Sequence, residues 1–228
     1  VDGVIVETVA ASLAMDPRLS AVDRHDDFLS MLMLMRAALP DTRLINLQTV
    51  HDVVEQWDAI HHHPTVLERE IQALANVFHI MPDGSLKPSS DGFLICLGDG
   101  LSREEWQWLQ ERWDLAFTQP PLHTDGVTVV WSDAAYRAQM ADFIKTRSWN
   151  THRLVAELMG AGATMQATIN VKYLKQAKGA ILVPNPHLLP AEELASVMQY
   201  QGGPIILIGR KVASLPSADF EFSDVYPP

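Results

Sequence analysis

The sequence is poor in cysteine: Cys96 is the only one among 228 residues. A single cysteine excludes a disulfide within the chain, so stability must come from a buried hydrophobic core. The length is sufficient for one large domain or two smaller ones. A chain without disulfides is also compatible with a reducing compartment, which favours a cytoplasmic location.

Basic residues are scarce as well: 17 lysines and arginines stand against 28 aspartates and glutamates, a formal net charge of −11. Nucleic acids and anionic membranes bind basic surfaces, so we expect neither as a partner. No apolar run reaches the roughly 18 residues of a membrane span. The longest apolar run, residues 28–39, contains Arg36 and predicts a buried helix.

Phosphate-binding loops are missing. There is no Gly-Lys-Ser/Thr loop and no Gly-x-Gly-x-x-Gly segment after a strand. The nearest approach is Leu-Gly-Asp-Gly-Leu-Ser at residues 97–102. Its Asp99, with Glu104 and Glu105 just beyond, would repel a phosphate, so nucleotide binding is a weak alternative. We expect no cofactor.

What the sequence does contain is an alternation of strand-like and helix-like segments, which predicts an α/β protein with mostly parallel strands. The proline- and glycine-containing segment 118–126 is the best boundary, dividing the chain into residues 1–120 and 125–215. Residues 81–91, also rich in proline and glycine, predict a loop. Because the chain opens on a strand-like Val-Asp-Gly-Val-Ile-Val, we expect it to be part of a longer polypeptide.

Two serines mark helix starts. Ser102 followed by Glu105 forms a capping-box pattern, in which each side chain bonds a free backbone N–H at the start of the helix. Ser132, at the end of a strand and before Asp133, is best explained as an N-cap, because no Gly-x-Ser-x-Gly elbow surrounds it.

The second half of the chain carries three motifs in order. They are Gly-Val-Thr-Val-Val-Trp-Ser at residues 126–132, a helix and glycine turn at 152–162, and a strand, Pro-Asn turn, helix and Gly-Gly strand at 180–208. Together they resemble the trimerisation domain of family 42 β-galactosidases, which is related to class I glutamine amidotransferases. The resemblance implies a flavodoxin-like domain and a homo-oligomer. Glutamine hydrolysis is excluded, since an amidotransferase needs a nucleophilic cysteine and this half has none.

The first half resembles the βα units of glycoside-hydrolase barrels. The motifs are Val-Asp-Gly-Val-Ile-Val-Glu-Thr at residues 1–8, the helix and strand over 29–47, and Ser-Asp-Gly-Phe-Leu-Ile-Cys-Leu-Gly-Asp-Gly at 90–100. The implied fold is a partial (β/α) barrel, because about three units cannot close a barrel of eight strands.

Residues at the carboxyl ends of barrel strands face the active site. The resemblance therefore makes Glu7 and Asp99 the candidate catalytic carboxylates, since glycosidases use a pair of them. Asn46, Gln48 and His51 are the candidate substrate-binding residues. The alternatives are structural: Glu7 bonds a neighbouring loop and Asp99 is a turn residue. No Asn-Glu dipeptide of the kind that carries the acid in many retaining barrels is present, so an inactive remnant is also compatible with the sequence.

Three consecutive histidines, His61, His62 and His63, raise the question of a metal site. Adjacent residues on a helix point in different directions, and the spacing to His51 fits no zinc pattern. We therefore expect no metal and interpret the run as a polar helix end before Pro64.

Three functions remain open. The first is a glycoside-hydrolase-type enzyme acting on an oligosaccharide or polysaccharide, with this chain as a fragment. The alternative is a non-catalytic carbohydrate-binding or assembly module. The third is a two-domain α/β protein with a small ligand in the cleft between its domains.

Overall fold

The fold is seen in a computed structural model that describes residues 2–8, 21–54, 57–119, 121–147, 150–212, 215 and 218–222. The strands are β1 (Gly3–Thr8), β2 (Arg43–Asp52), β3 (Trp57–Asp58), β4 (Phe78–Ile80), β5 (Leu86–Pro88), β6 (Phe93–Gly98), β7 (Thr128–Trp131), β8 (Ala167–Asn170), β9 (Ile181–Pro184) and β10 (Ile205–Ile208). The α-helices are α1 (Ala21–Ala38), α2 (Ala59–His62), α3 (Pro64–Leu74), α4 (Arg103–Phe117), α5 (Asp133–Thr146), α6 (Thr151–Gly160) and α7 (Ala191–Met198). Two short 3-10 helices cover Val171–Gln176 and Pro186–Leu188.

A first sheet contains β1, β2 and β6 as parallel neighbours, with β2 in the middle. The two-residue β3 pairs antiparallel with the end of β2. Helices lie between β1 and β2, between β2 and β6, and after β6. The three parallel strands lie side by side in their chain order, with β2 between β1 and β6.

The two faces of this sheet differ in burial. On β2, Leu44, Asn46, Gln48 and Val50 alternate along one face and are all buried, and Val50 packs into the core that the helices form. The other face, here called the open face, is only partly covered, with Ile45 and Leu47 half-buried and Thr49 buried. Leu94, which is in register with Leu47, is 48% exposed, and Ile5 of β1, in register with Ile45, is 59% exposed.

The second sheet has six strands in the order β10-β9-β7-β8-β4-β5, and all neighbours except β4 and β5 run parallel. Its β4–β5 hairpin comes from the chain before the predicted boundary at 118–126. The expected loop at residues 81–91 thus includes a strand, because Lys87 of β5 pairs with His79 of β4. Parallel strands with intervening helices confirm the α/β class.

One hydrophobic core connects the two sheets. Helix α1 packs on α6 and also contacts β4, β7 and β8. The core cluster includes Val50 and Phe93 from the first sheet together with Val129 and Leu182 from the second. Residues on both sides of the predicted boundary therefore share buried apolar surface. Among the described helices, none combines the length and the apolar character that a bilayer crossing requires.

Arg36, in the predicted buried helix, is completely buried near the end of α1. Its guanidinium donates to the carbonyl oxygens of Pro88 at 3.0 Å and Thr42 at 2.6 Å, and to Asp91 Oδ2 at 2.5 Å. The same carboxylate oxygen accepts the backbone N–H of Leu44 at 2.8 Å. Arg36 thus connects α1, the start of β2 and the segment that leads from β5 to β6.

Both predicted helix starts are confirmed. Ser102 accepts the backbone N–H of Glu105, whose side chain accepts the N–H of Ser102, so the capping box is complete at the start of α4. Ser132 accepts the backbone N–H of Ala135 at 3.0 Å at the start of α5.

Candidate functional site

A cluster of ionisable side chains lies at the carboxyl end of β2. The antiparallel pairing of β2 with β3 places His51 directly opposite Asp58. Asp58 is also the N-cap of α2, where its Oδ1 accepts the backbone N–H of His61 at 3.2 Å. One strand pair and one helix cap therefore bring His51, Asp58 and His61 together.

His61 lies between two carboxylates. Its Nδ1 is 2.6 Å from Asp58 Oδ1, and its Nε2 is hydrogen-bonded to Oε1 of Glu105 on α4. The His51 and His61 rings meet edge to face, with centroids 5.5 Å apart. His51, Asp58, His61 and Glu105, here called the His–Asp cluster, come from four different elements.

The hydrogen bonds shift the pKa values of His61 and Glu105. The bond to Asp58, followed by the bond to Glu105, raises the pKa of His61, because both carboxylates favour the imidazolium. The backbone N–H of Ser102 is the main cause that lowers the pKa of Glu105, and His61 contributes less. Because His61 is largely exposed, solvent screens these charges.

His51 also contacts β6 and the turn that follows it. Its Nδ1 is hydrogen-bonded to the backbone carbonyl of Asp99, and His51 is in register with Gly98 of β6. The Asp99 residue itself is exposed in the turn after β6. The candidate catalytic carboxylate Asp99 and the candidate substrate-binding His51 are therefore neighbours at the same sheet edge.

The remaining predicted site residues lie elsewhere. Glu7 is in register with Leu47, and its side chain is outside the described part of the structure. Asn46 and Gln48 are buried on the helix-facing side of β2. Among the residues that the structure describes, both polar side-chain atoms of Asn46, and Nε2 of Gln48, have no hydrogen-bond partner. The structure does not bring these two amides to the edge where His51 lies.

Sequence reasoning missed Asp58 and Glu105 as site residues and considered His61 only as part of a histidine run. A local signal for one of them existed, because Asp58 precedes His61 by three residues, the spacing of a capped first turn. Glu105 carried no such signal, since its contact with His61 joins residues 44 positions apart.

The cluster combines groups that transfer protons with groups that bind metals. An imidazole hydrogen-bonded to a carboxylate can donate or accept a proton near neutral pH. His51, Asp58 and His61 also each present a possible ligand atom, and these three atoms lie within 4.8 Å of one another.

A small polar cavity lies at the carboxyl ends of β7 and β9. Ser132, Gln139 and Asn185 are among its lining residues, and its volume is about 20 Å³. The Ser132 hydroxyl donates to Glu193 Oε2 at 2.5 Å. This space holds about one water molecule and cannot hold a sugar.

A wider groove of about 280 Å³ runs between α1, α3 and α6. Leu29, Ala73 and Met159 contribute to its apolar lining, and Asp26 is its one charged lining residue. Specific ligand sites usually add several placed polar groups to an apolar wall. Asn76, Thr164 and Gln166 add polar groups to the lining, so the groove gives the small-ligand hypothesis a location.

No protein-family model, no curated protein and no solved structure matches this chain.

Proposed function

We propose that this chain is a glycoside-hydrolase-type protein that acts on an oligosaccharide or polysaccharide. In this proposal the first sheet is an arc of a (β/α) barrel, and the second sheet is a non-catalytic flavodoxin-like domain. The observation that carries the proposal is the order β1-β2-β6: three parallel strands, adjacent in chain order, with helices on one face and an open face on the other.

The open face supports a barrel in particular. In a (β/α) barrel the helices cover the outer face of each strand, while side chains of the other strands fill the interior. Ile5 and Leu94 are 59% and 48% exposed on the face opposite the helices. Exposed apolar side chains on an open sheet are costly in water, so further barrel strands from a longer polypeptide would be their natural cover.

The order of the second sheet supports the flavodoxin-like part of the proposal. Numbered from β7, its four strands β8-β7-β9-β10 have the order 2-1-3-4, which is that of flavodoxin-type sheets. The β4–β5 hairpin extends this sheet at the β8 edge. A domain of this kind without a nucleophilic cysteine would serve assembly or shield the substrate side of the barrel.

The proposed chemistry belongs to the carboxyl edge of the arc. Glu7 near the end of β1 and Asp99 after β6 are the proposed carboxylates, since glycosidases use one carboxyl as acid and another as nucleophile or base. His51, hydrogen-bonded to the Asp99 carbonyl, is the proposed substrate-binding residue at this edge. Asn46 and Gln48 lie behind the strand, so we assign them a supporting role rather than direct contact.

The test is hydrolysis of a panel of chromogenic glycosides by the longer polypeptide that supplies the remaining barrel strands, comparing wild type with Glu7→Gln and Asp99→Asn. We expect losses of at least about 100-fold in kcat for Glu7→Gln, because a catalytic carboxylate acts in the transition state. Glu111→Gln, an exposed carboxylate on α4, is the matched control and should keep full activity. Activity that survives Glu7→Gln, or no activity on any glycoside, would contradict the enzyme proposal.

The same open face favours a second candidate, a non-catalytic assembly module in which a second copy of this chain covers Ile5 and Leu94. Sedimentation velocity distinguishes the two. A homo-oligomer that dissociates in Leu94→Lys but not in Val54→Lys, a change at an 86% exposed turn residue, would support assembly through this face. A wild-type monomer would argue against it.

A further inference from the structure

We infer that His51, Asp58 and His61 form a binding site for a divalent transition-metal ion, of which zinc is the best-fitting example. The ligand set is two imidazole nitrogens and one carboxylate oxygen, and the three candidate ligand atoms lie within 4.8 Å of one another. The ion would bind whether or not the protein cleaves a glycosidic bond.

The backbone brings the ligands together before any ion binds. His51 and Asp58 are a paired position of the β2–β3 ladder. Asp58 and His61 are joined by the N-cap of α2, in which the carboxylate accepts the His61 N–H. Because strand pairing and helix capping determine these positions, ordering the site costs little side-chain and backbone freedom.

The hydrogen bonds around the two histidines orient them as ligands. Metal-binding histidines usually donate their second ring N–H to a carboxylate or a backbone carbonyl. His61 has such a bond from Nε2 to Glu105, and His51 has one from Nδ1 to the Asp99 carbonyl. We assign the other two ring nitrogens as the ligand atoms: Nε2 of His51, and Nδ1 of His61, whose partner without the ion is the third ligand Asp58.

The ion would replace a proton. At present Nδ1 of His61 and Oδ1 of Asp58 are 2.6 Å apart and share one proton. Binding releases that proton to solvent, and both atoms then donate an electron pair to the metal. Tetrahedral ligands at about 2.0–2.1 Å from zinc lie roughly 3.4 Å apart, so the site forms by small side-chain rotations.

The ligand types select the class of ion. Two imidazoles with one carboxylate suit zinc and its neighbours in the first transition series, whereas calcium and magnesium prefer oxygen ligands. Three protein ligands leave a fourth position to a water molecule, as in catalytic rather than structural zinc sites. The position at the carboxyl edge of the parallel strands is open to solvent, since His61 is exposed.

The experiment titrates Zn²⁺ into the 228-residue protein by calorimetry, and Co²⁺ with visible absorption as a readout of ligand geometry. We expect one ion per chain, with a dissociation constant in the micromolar range or tighter and the intense bands of a four-coordinate Co²⁺ site. His61→Ala and His51→Ala should each weaken binding at least about 100-fold, because two protein ligands hold these ions poorly. No saturable binding to the wild type would overturn the proposal.

The histidine run provides the decisive control. His62 and His63 adjoin His61 in sequence, and three consecutive histidines can bind metal adventitiously. The double variant His62→Ala/His63→Ala removes the exposed contact of His62 Nδ1 with Asp58 Oδ2 at 3.6 Å but none of the three proposed ligands, so it should bind with nearly unchanged affinity. If this variant loses binding and His51→Ala retains it, the ion belongs to the run and the proposal fails.

Asp58→Asn is the third variant, and it preserves folding better than alanine because asparagine also caps helices. It loses the carboxylate ligand, so Zn²⁺ affinity should fall at least about tenfold while circular dichroism stays unchanged. Unchanged affinity would exclude Asp58 as a ligand and overturn the three-residue site.

Discussion

Replacing Arg36 by methionine provides the sharpest test of how the two parts of this fold are connected. The substitution keeps most of the apolar stem but removes every hydrogen bond of the guanidinium. Asp91 would lose its ion-pair partner, and the carbonyl oxygens of Pro88 and Thr42 would lose their donor in a buried place. We therefore expect the variant to fold with much lower stability.

The size of the loss follows from burial. Removing one partner of a buried ion pair costs about 3–5 kcal/mol, and a buried carbonyl without a donor costs about 1 kcal/mol more. Asp91 is partly exposed and water can solvate it, which reduces the first figure. We expect a decrease of about 4 kcal/mol in the free energy of unfolding. For a chain of this length that corresponds to a fall in Tm of roughly 8–16 °C.

Arg112→Met is the matched control. Arg112 pairs with Glu68 at 3.1 Å and lies over the Trp108 ring at 4.3 Å, but both charged groups are partly exposed. Exposed ion pairs and cation–π contacts contribute about 0–1 kcal/mol each, so this variant should lose about 1 kcal/mol. The two arginine changes thus differ mainly in burial.

The assay is urea unfolding followed by far-ultraviolet circular dichroism, with Asp91→Asn and the Arg36→Met/Asp91→Asn double variant completing a cycle. A coupling of about 2 kcal/mol between the two sites would confirm that the pair acts as a unit. The reasoning is refuted if Arg36→Met loses no more than Arg112→Met, or if the two changes are additive.

Three further perturbations test local features. Gly126→Ala should destabilise the protein by more than about 2 kcal/mol, because at φ +78° its Cβ would lie 2.0 Å from the carbonyl oxygen of Thr164. Gly162→Ala, at φ +92° in open space, should cost only about 1 kcal/mol. Equal losses of the two variants in thermal unfolding would contradict the clash. Ser102→Ala should cost about 1 kcal/mol by removing the cap of α4, whereas Ser102→Asp should restore it in the same assay. Burial lowers the pKa of His79 to about 4 from an unfolded value near 6.5, so the unfolded state binds more protons in this range. The free energy of unfolding should therefore fall by up to about 3 kcal/mol as the pH drops from 6.5 to 4. A His79→Gln variant should show a weaker pH dependence in urea titrations, and an identical profile would exclude His79 as a cause.

The helix starts could be predicted because the capping residues lie within a few positions of the backbone groups that they bond. Ser102 and Glu105 lie in one helical turn, and the side chain and backbone groups that bond there are neighbours in sequence. The alternation of strands and helices could be predicted for a similar reason, since an apolar run such as β9, in which all four residues are buried, is needed wherever a parallel strand is buried. These parts of the prediction needed no knowledge of what packs against what.

The strand faces were less predictable. Placing Asn46 and Gln48 at a substrate edge required knowing on which side of β2 the helices lie. A strand presents alternate residues to opposite faces, and the sequence of β2 mixes apolar and polar residues on both. Only the packing of Val50 into the helical core shows that the set containing Asn46 and Gln48 is buried.

The sequence by itself determined the α/β class and the starts of α4 and α5, because each depends on residues a few positions apart. Tertiary structure alone decided that β4 and β5 join the second sheet and that His61 meets Glu105. Those contacts join residues far apart in the chain. They form because strands must find partners and helices must bury their apolar faces, and many distant partners would satisfy the same local pattern.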